Sequence, residues 1–230
     1  MNTWRMVWRR RRLEHGQPAL RDLMDLDGYD TLGSLREEDW VRYIDTLVER
    51  LKIQPGMSIY EVGCGAGALL FPLYTKGHPV AGVDYAGNLI EIAKQVMPNA
   101  AFTAGDALTI ESASVHDVVL SQGAFCYFPD LHYAARCLRA MVDKARYAAA
   151  VLDVPDLASH ERALELRRGR LGQAEYEARY RGLDHQYYSR GWFEEALENL
   201  PARVEVADQC IAGYLHNEYR FNVFIEKIAR

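Results

Sequence analysis

Short apolar runs alternate with helix-like patterns along the middle of this sequence. Five runs predict strands, at residues 58–62, 79–83, 101–104, 117–120 and 147–154. Between two of them, Leu89, Ile92, Ala93 and Val96 recur at three- and four-residue steps, which predicts a helix. Alternating strands and helices predict βαβ units and a parallel sheet, with a ligand site at the carboxyl ends of the strands.

The two flanks of this region follow other patterns. Residues 34–53 predict an amphipathic helix whose capping box is Ser34 with Glu37. Residues 203–207 and 220–225 predict two strands, and the connection between them is too short for a crossover helix, so antiparallel pairing is expected.

Residues 154–191 form a long segment between the fifth strand and the next helix, and we interpret them as an inserted helical cap. The chain shows no internal repeat and no linker-like tract. We therefore expect residues 1–230 to form a single domain, with an N-terminal helical lid at about 1–53.

Composition narrows the function classes. The 230-residue chain has 27 Lys and Arg against 32 Asp and Glu, which gives a net charge of −5. Because a nucleic-acid binder is expected to carry a basic face, we predict no nucleic-acid partner. No stretch reaches the ~18 continuous apolar residues of a membrane span, and no secretory signal precedes the first helix. The four cysteines form no CxxC pair and no metal spacing, which predicts free thiols, no metal site and a cytoplasmic location.

A glycine-rich loop follows the first predicted strand, with the sequence Glu61-Val-Gly-Cys-Gly-Ala-Gly67. Such a loop lets the backbone approach a ligand closely, and its GxGxxA spacing also fits a dinucleotide site. The acid at its front disfavours a pyrophosphate but suits a cationic head, such as the ammonium and sulfonium of S-adenosylmethionine. Asp84, ending the second strand, can bind ribose hydroxyls of either cofactor, and Asp106, after the third, can accept from an adenine amino group. The spacing of these residues alone does not decide between a dinucleotide and S-adenosylmethionine.

Residues 55–155 resemble the class I S-adenosylmethionine-dependent methyltransferases in these motifs. The resemblance implies a Rossmann-like fold with a mixed seven-stranded sheet whose last strand is antiparallel. It implies S-adenosylmethionine as cofactor and S-adenosylhomocysteine as product. The cofactor-binding residues that it implies are Glu61, Gly63, Cys64, Gly65, Gly67, Asp84, Tyr85, Asp106, Ala107, Ser121 and Gln122.

The methyl acceptor is expected above the strand ends, beneath the lid and an aromatic, arginine-rich cap. Methyl transfer is an in-line displacement that leaves a neutral thioether, so alignment and exclusion of water matter most. We predict a small-molecule acceptor; an O, N or S acceptor atom and a homodimer are both left open. Candidate catalytic residues are His185 and Tyr127, and candidate acceptor contacts are Trp8, Tyr29, Phe125, Asp153, Tyr187 and Tyr188. The cap arginines form either a solvated face or a partner for a carboxylate on the acceptor.

Two other functions compete with methyl transfer. A nicotinamide-dependent short-chain oxidoreductase would need a Tyr-x-x-x-Lys pair, and no tyrosine of this chain has a lysine four residues on. A non-catalytic methyltransferase-like binding protein would have no need of Glu61, Asp84 and Asp106 together. Both alternatives are therefore ranked below a methyltransferase.

Overall fold

The computed structural model describes residues 4–13, 16–29, 34–110 and 114–228. The helices are α1 (Trp4–Arg9), α2 (Leu20–Leu26), α3 (Glu37–Arg50), α4 (Leu70–Thr75), α5 (Gly87–Val96), α6 (Leu131–Lys144), α7 (His160–Leu171), α8 (Gln173–Tyr180) and α9 (Trp192–Leu197). The strands are β1 (Ile59–Val62), β2 (Val80–Asp84), β3 (Ala101–Ala104), β4 (His116–Gln122), β5 (Ala145–Pro155), β6 (Ala202–Asp208) and β7 (Arg220–Lys227).

The strands form one sheet in the order β3-β2-β1-β4-β5-β7-β6. Strands β1 to β5 pair in parallel, whereas β7 is antiparallel to both β5 and β6. This arrangement confirms the predicted mixed seven-stranded sheet. The order of the first five strands reverses between β1 and β4, the kind of place where open sheets of this type bind ligands.

Side chains on the central strands alternate between two hydrophobic layers. Val118 and Leu120 pack with residues of α2 to α5, whereas Val119 packs with residues of α6 and α9. This period of two is that of a strand buried on both faces. Helices therefore cover both faces and leave the strand ends free to form a site.

The predicted capping box of Ser34 with Glu37 is wrong. Helix α3 begins at Glu37, after an N-cap at Arg36 that has no side-chain cap, so Ser34 lies outside the helix. The Ser34 amide instead donates to the carbonyl of Gly213 (3.2 Å). Asn88 lies inside the first turn of α5, and its side chain binds the N-terminal segment instead of capping the helix.

The flanking segments supply further helices beside the sheet. Helices α7 and α8 lie within the predicted 154–191 insert, and α1 to α3 lie within the predicted N-terminal lid. None of the described helices combines the length and apolar character needed to cross a membrane.

Candidate active site

A cavity of about 1160 Å³ lies at the carboxyl ends of β1, β2, β4 and β5. Residues at or just after these strand ends line it, including Gly63, Asp84, Gly123 and Asp153. Residues of α1, α7 and α8 also line it, so the lid and the cap segment both border the same space. The volume lies slightly above the roughly 300–1000 Å³ that is usual for a small-molecule site.

The glycine loop makes a tight turn against an aspartate that sequence reasoning missed. Asp27 follows α2, and its two carboxylate oxygens accept hydrogen bonds from the backbone amides of Ala66 (2.6 Å) and Ala68 (2.9 Å). At Gly65, where φ is +51°, a Cβ would lie 2.1 Å from Asp27 Oδ1. Only glycine therefore fits at this position.

Asp27 carried one sequence signal that could have been used. A carboxylate at the C-terminal end of a helix is opposed by the helix dipole, so it needs another reason to be there. Here that reason is the set of amides in the glycine loop. Burial raises the pKa of Asp27 to about 7, helped by the charge of Asp84 and opposed by the two amide bonds.

Glu61 and Asp84 complete a cluster of buried acids beside the loop. Burial, with the charges of Asp27 and Asp84, raises the pKa of Glu61 well above its ordinary value. Its Oε2 is shielded from solvent and has no hydrogen-bond partner among the described residues. Asp84 accepts from the amides of Gly65 (3.0 Å) and Ala86 (2.7 Å), and burial raises its pKa too. This end of the cavity is built to receive a cation.

Asp106 lies further along the same edge of the sheet. It accepts hydrogen bonds from the Leu108 amide (3.0 Å), the Tyr133 hydroxyl and Arg5 Nη2 (2.6 Å). Partial burial alone would raise the pKa of Asp106, but these three donors lower it below its ordinary value. The Arg5 guanidinium also lies 5.5 Å from the ring centre of Tyr85, so α1 closes over this region.

Most of the residues assigned to the cofactor by resemblance line the cavity. They are Glu61, Gly63, Cys64, Gly65, Asp84, Tyr85, Asp106, Ala107 and Gln122. Gly67 is in the loop but outside the lining, and Ser121 is completely buried within β4. Burial raises the pKa of Cys64 well above its ordinary value, so it stays a thiol.

Asp153, near the end of β5, also lines the cavity. It has a left-handed backbone (φ 59°), which is uncommon for a residue with a side chain and typical of functional sites. Its carboxylate accepts from the Tyr214 hydroxyl (2.8 and 2.9 Å) and from Gln209 Nε2 (3.1 Å). Burial raises its pKa, although Arg220 and these donors oppose the rise.

His185 belongs to the cap segment and lies against α1 of the lid. Arg167 Nη1 is 2.7 Å from His185 Nδ1, and the imidazole stacks on Trp4 (4.6 Å between ring centres). Because arginine can only donate, Nδ1 must accept, and the neutral ring carries its proton on Nε2. Burial and the charges of Arg167 and Arg220 lower the pKa of His185 well below its ordinary value. In this state Nε2 is a hydrogen-bond donor and not a base.

Aromatic rings wall the space next to His185. Tyr127 makes edge contacts with Trp4, Trp8 and His185 at 4.9, 5.4 and 5.3 Å between ring centres. Burial raises the pKa of Tyr127 well above its ordinary value, so it remains a phenol. Tyr29 receives a hydrogen bond from Gln122 Nε2 (3.0 Å) and also lines the cavity.

Three predicted acceptor contacts lie elsewhere. Phe125 and Tyr188 pack with α6 and α9 in the hydrophobic layer on the other side of the sheet, where the Tyr188 hydroxyl donates to the Phe125 carbonyl (2.9 Å). Tyr187 is buried with its ring against His160 (4.4 Å between ring centres). None of the three lines the cavity, whereas Trp8, Tyr29 and Asp153 do.

Comparison with known proteins shows that this chain is similar in sequence to methyltransferases. A family model described as a methyltransferase domain matches residues 59–145. The chain is 30% identical over 127 residues to nocamycin O-methyltransferase of Saccharothrix syringae, which covers 49% of this chain and 45% of that protein. It is 28% identical over 95 residues to dTDP-4-amino-2,3,4,6-tetradeoxy-D-glucose N,N-dimethyltransferase of Saccharopolyspora spinosa. That alignment covers 40% of this chain and 38% of that protein. The alignments thus span less than half the length of either relative.

The similarity to a solved structure extends over nearly the whole chain. Magnesium protoporphyrin IX methyltransferase of Synechocystis PCC 6803, solved with bound SAH, superposes with a TM-score of 0.63 at 15% identity. The superposition covers 98% of this chain and 92% of that one, so the two share a fold. Residues 59–145 thus match a methyltransferase domain, and nearly the whole chain shares its fold with that solved methyltransferase.

Proposed function

We propose that this chain transfers a methyl group from S-adenosylmethionine to a small-molecule acceptor. The observation that carries the proposal is the cluster of Asp27, Glu61 and Asp84 around the glycine loop, in which Glu61 Oε2 has no partner among the described residues. Three buried carboxylates without a cation are electrostatically unfavourable. A ligand with an ammonium and a sulfonium supplies the missing positive charge.

The residues present fit the cofactor along its length. Glu61 and Asp27 would bind the ammonium, Asp84 the ribose hydroxyls, and Asp106 with Tyr85 the adenine. When bound, the cofactor supplies a methyl group on a sulfonium whose departure leaves a neutral thioether. No protein acid is then needed for the leaving group.

The chain's own residues would align the acceptor and exclude water. Trp4 and Trp8 of α1, with Tyr127 and His185, form the aromatic wall above the strand ends. Alignment of this kind is the main contribution that an enzyme makes to an in-line displacement. The relatives' names include an O- and an N-methyltransferase, so we assign no acceptor atom.

Calorimetric titration with S-adenosylhomocysteine and with NAD tests the proposal. S-adenosylhomocysteine should bind and NAD should not. Glu61→Gln should weaken S-adenosylhomocysteine binding about tenfold to a hundredfold, because a charge-assisted hydrogen bond contributes roughly 1.5–3 kcal/mol.

Glu91→Gln is the matched control, since Glu91 is exposed on α5 and, among the described residues, pairs with Lys94 alone (2.9 Å). Its affinity should equal that of the unaltered chain. Binding of NAD without binding of S-adenosylhomocysteine would instead favour the oxidoreductase. Tight binding of S-adenosylhomocysteine with no loss in Glu61→Gln would remove Glu61 from the proposed site.

A further inference from the structure

The end of the cavity beside Asp153 is lined by basic side chains, unlike the acid cluster. Arg220, the first residue of β7, is buried there, and Arg167 of α7 is half-buried. Two acids line the same end: Asp153 is buried, and Asp184 is exposed. Two guanidinium groups thus face one buried carboxylate.

Asp153 can balance at most one of these two guanidinium charges, and the one that it balances is that of Arg220. Both of its oxygens accept from the Tyr214 hydroxyl, and Gln209 donates a further hydrogen bond. Arg220 Nη1 donates to the backbone carbonyl of Asp153 (3.0 Å), while its Nε lies 3.9 Å from the carboxylate, beyond hydrogen-bond distance. Arg167 is bound to a neutral imidazole and to no acid among the described residues.

His185 adds a third donor to this end. Its Nδ1 accepts from Arg167, so the proton is on Nε2, and Nε2 has no hydrogen-bond partner among the described residues. A shielded N–H without an acceptor is energetically costly. The ligand that suits this end therefore brings acceptor oxygens.

We propose that the methyl acceptor carries a carboxylate group and that Arg167, Arg220 and the Nε2–H of His185 bind it. The proposal rests on the proposed function only in calling this ligand the acceptor. Guanidinium forks match a planar carboxylate in geometry as well as in charge. The surrounding rings of Trp4 and Tyr127 would hold a flat apolar body attached to it.

Titration with 2-naphthoate and with its neutral analogue 2-naphthamide tests the proposal. The protein is used both alone and saturated with S-adenosylhomocysteine. A failure to bind S-adenosylhomocysteine is thereby distinguished from a failure to bind the carboxylate. Naphthoate should bind at least tenfold more tightly than naphthamide. Equal affinity of the two probes would overturn the proposal, and tighter binding of inorganic phosphate than of naphthoate would overturn the choice of a carboxylate.

Substitutions assign the binding to particular residues. Arg167→Gln should weaken naphthoate binding at least tenfold and leave S-adenosylhomocysteine binding within twofold, and Arg167→Lys should recover part of the loss. Arg168→Gln, its exposed neighbour on α7, is the matched control and should bind naphthoate like the unaltered chain. Equal losses in the two glutamine variants would show a general charge effect and overturn the site.

Nitrogen-15 NMR of the histidine side chains gives a readout that does not depend on any substitution. His185 should be in the Nε2–H tautomer, and its Nε2 resonance should shift when naphthoate binds. An Nδ1–H tautomer, or no shift at saturating naphthoate, would overturn the role of His185.

Discussion

At the residue scale, the candidate cofactor site depends on acids that are costly in the absence of a ligand. Burial raises the pKa values of Asp27, Glu61 and Asp84, and each charge disfavours its neighbours. Glu61 and Asp84 could be recognised from the sequence because they lie at the ends of predicted strands. Asp27 could not be placed at the loop, because it reaches the loop from a helix that precedes β1 by a long stretch of chain, and its one sequence signal does not say which amides it binds.

The protonation of Asp27 predicts a pH dependence of cofactor binding. With its pKa at about 7, Asp27 is mostly protonated at pH 6 and must lose the proton to bind an ammonium. The affinity for S-adenosylhomocysteine should therefore rise with pH, by about tenfold between pH 6 and pH 8. Calorimetry at several pH values measures this rise.

Asp27→Asn should remove the part of this rise that is centred near pH 7, because an amide does not titrate. The remaining pH dependence would come from Glu61 and Asp84. An unchanged curve in the Asp27→Asn variant would contradict the assignment of the titration to Asp27.

At the scale of elements, we expect helix α1 to act as a cover that can detach from the site. None of its residues is fully buried, and a six-residue helix is not stable by itself. It is held by Trp4, whose Nε1 donates to the Asp184 carbonyl (2.9 Å), and by the bond from Arg5 to Asp106. Asn88 of α5 fixes the end of the segment by donating to the carbonyls of Trp8 (3.2 Å) and Arg11 (2.9 Å).

Asn88→Ala should loosen this cover without unfolding the chain. Trypsin should cleave at Arg9 to Arg12 several times faster in the variant, because two hydrogen bonds that hold the segment are lost. S-adenosylhomocysteine should slow the cleavage in the unaltered chain by filling the space beneath α1.

Asn99→Ala is the control for this experiment, because Asn99 is exposed and its side-chain amide donates to the Tyr74 hydroxyl at the long distance of 3.5 Å. Cleavage of this variant should match that of the unaltered chain. Equal cleavage rates for Asn88→Ala and Asn99→Ala would show that Asn88 does not hold the lid.

At the scale of the whole molecule, helix α9, which follows the cap segment, packs against one face of the sheet. Phe193 is completely buried and contacts the rings of Phe125, Tyr188 and Phe221. These partners belong to different parts of the chain, and Phe221 lies in β7, next to Arg220 of the cavity. Packing around Phe193 therefore positions part of the site from its far side.

Phe193→Ala should lower the free energy of unfolding by about 3–5 kcal/mol, the usual cost of removing a buried phenylalanine side chain. Leu157→Ala should change it by less than about 0.5 kcal/mol, since the side chain is exposed. Urea denaturation followed by circular dichroism measures both. A loss of under 1 kcal/mol in Phe193→Ala would contradict this role for α9.

The sequence alone determined the strands and the candidate cofactor end of the cavity. Strand periodicity is local, and consecutive parallel strands bring their carboxyl ends to one edge, so Glu61, Asp84 and Asp106 could be placed without coordinates. Only the tertiary structure decided which aromatic residues face the cavity. Phe125, Tyr187 and Tyr188 have the same local pattern as residues that line it, yet packing against α9 and His160 turns them into the interior. The same is true of Asp27, Arg167 and Arg220, because segments far apart in the chain meet there only after folding.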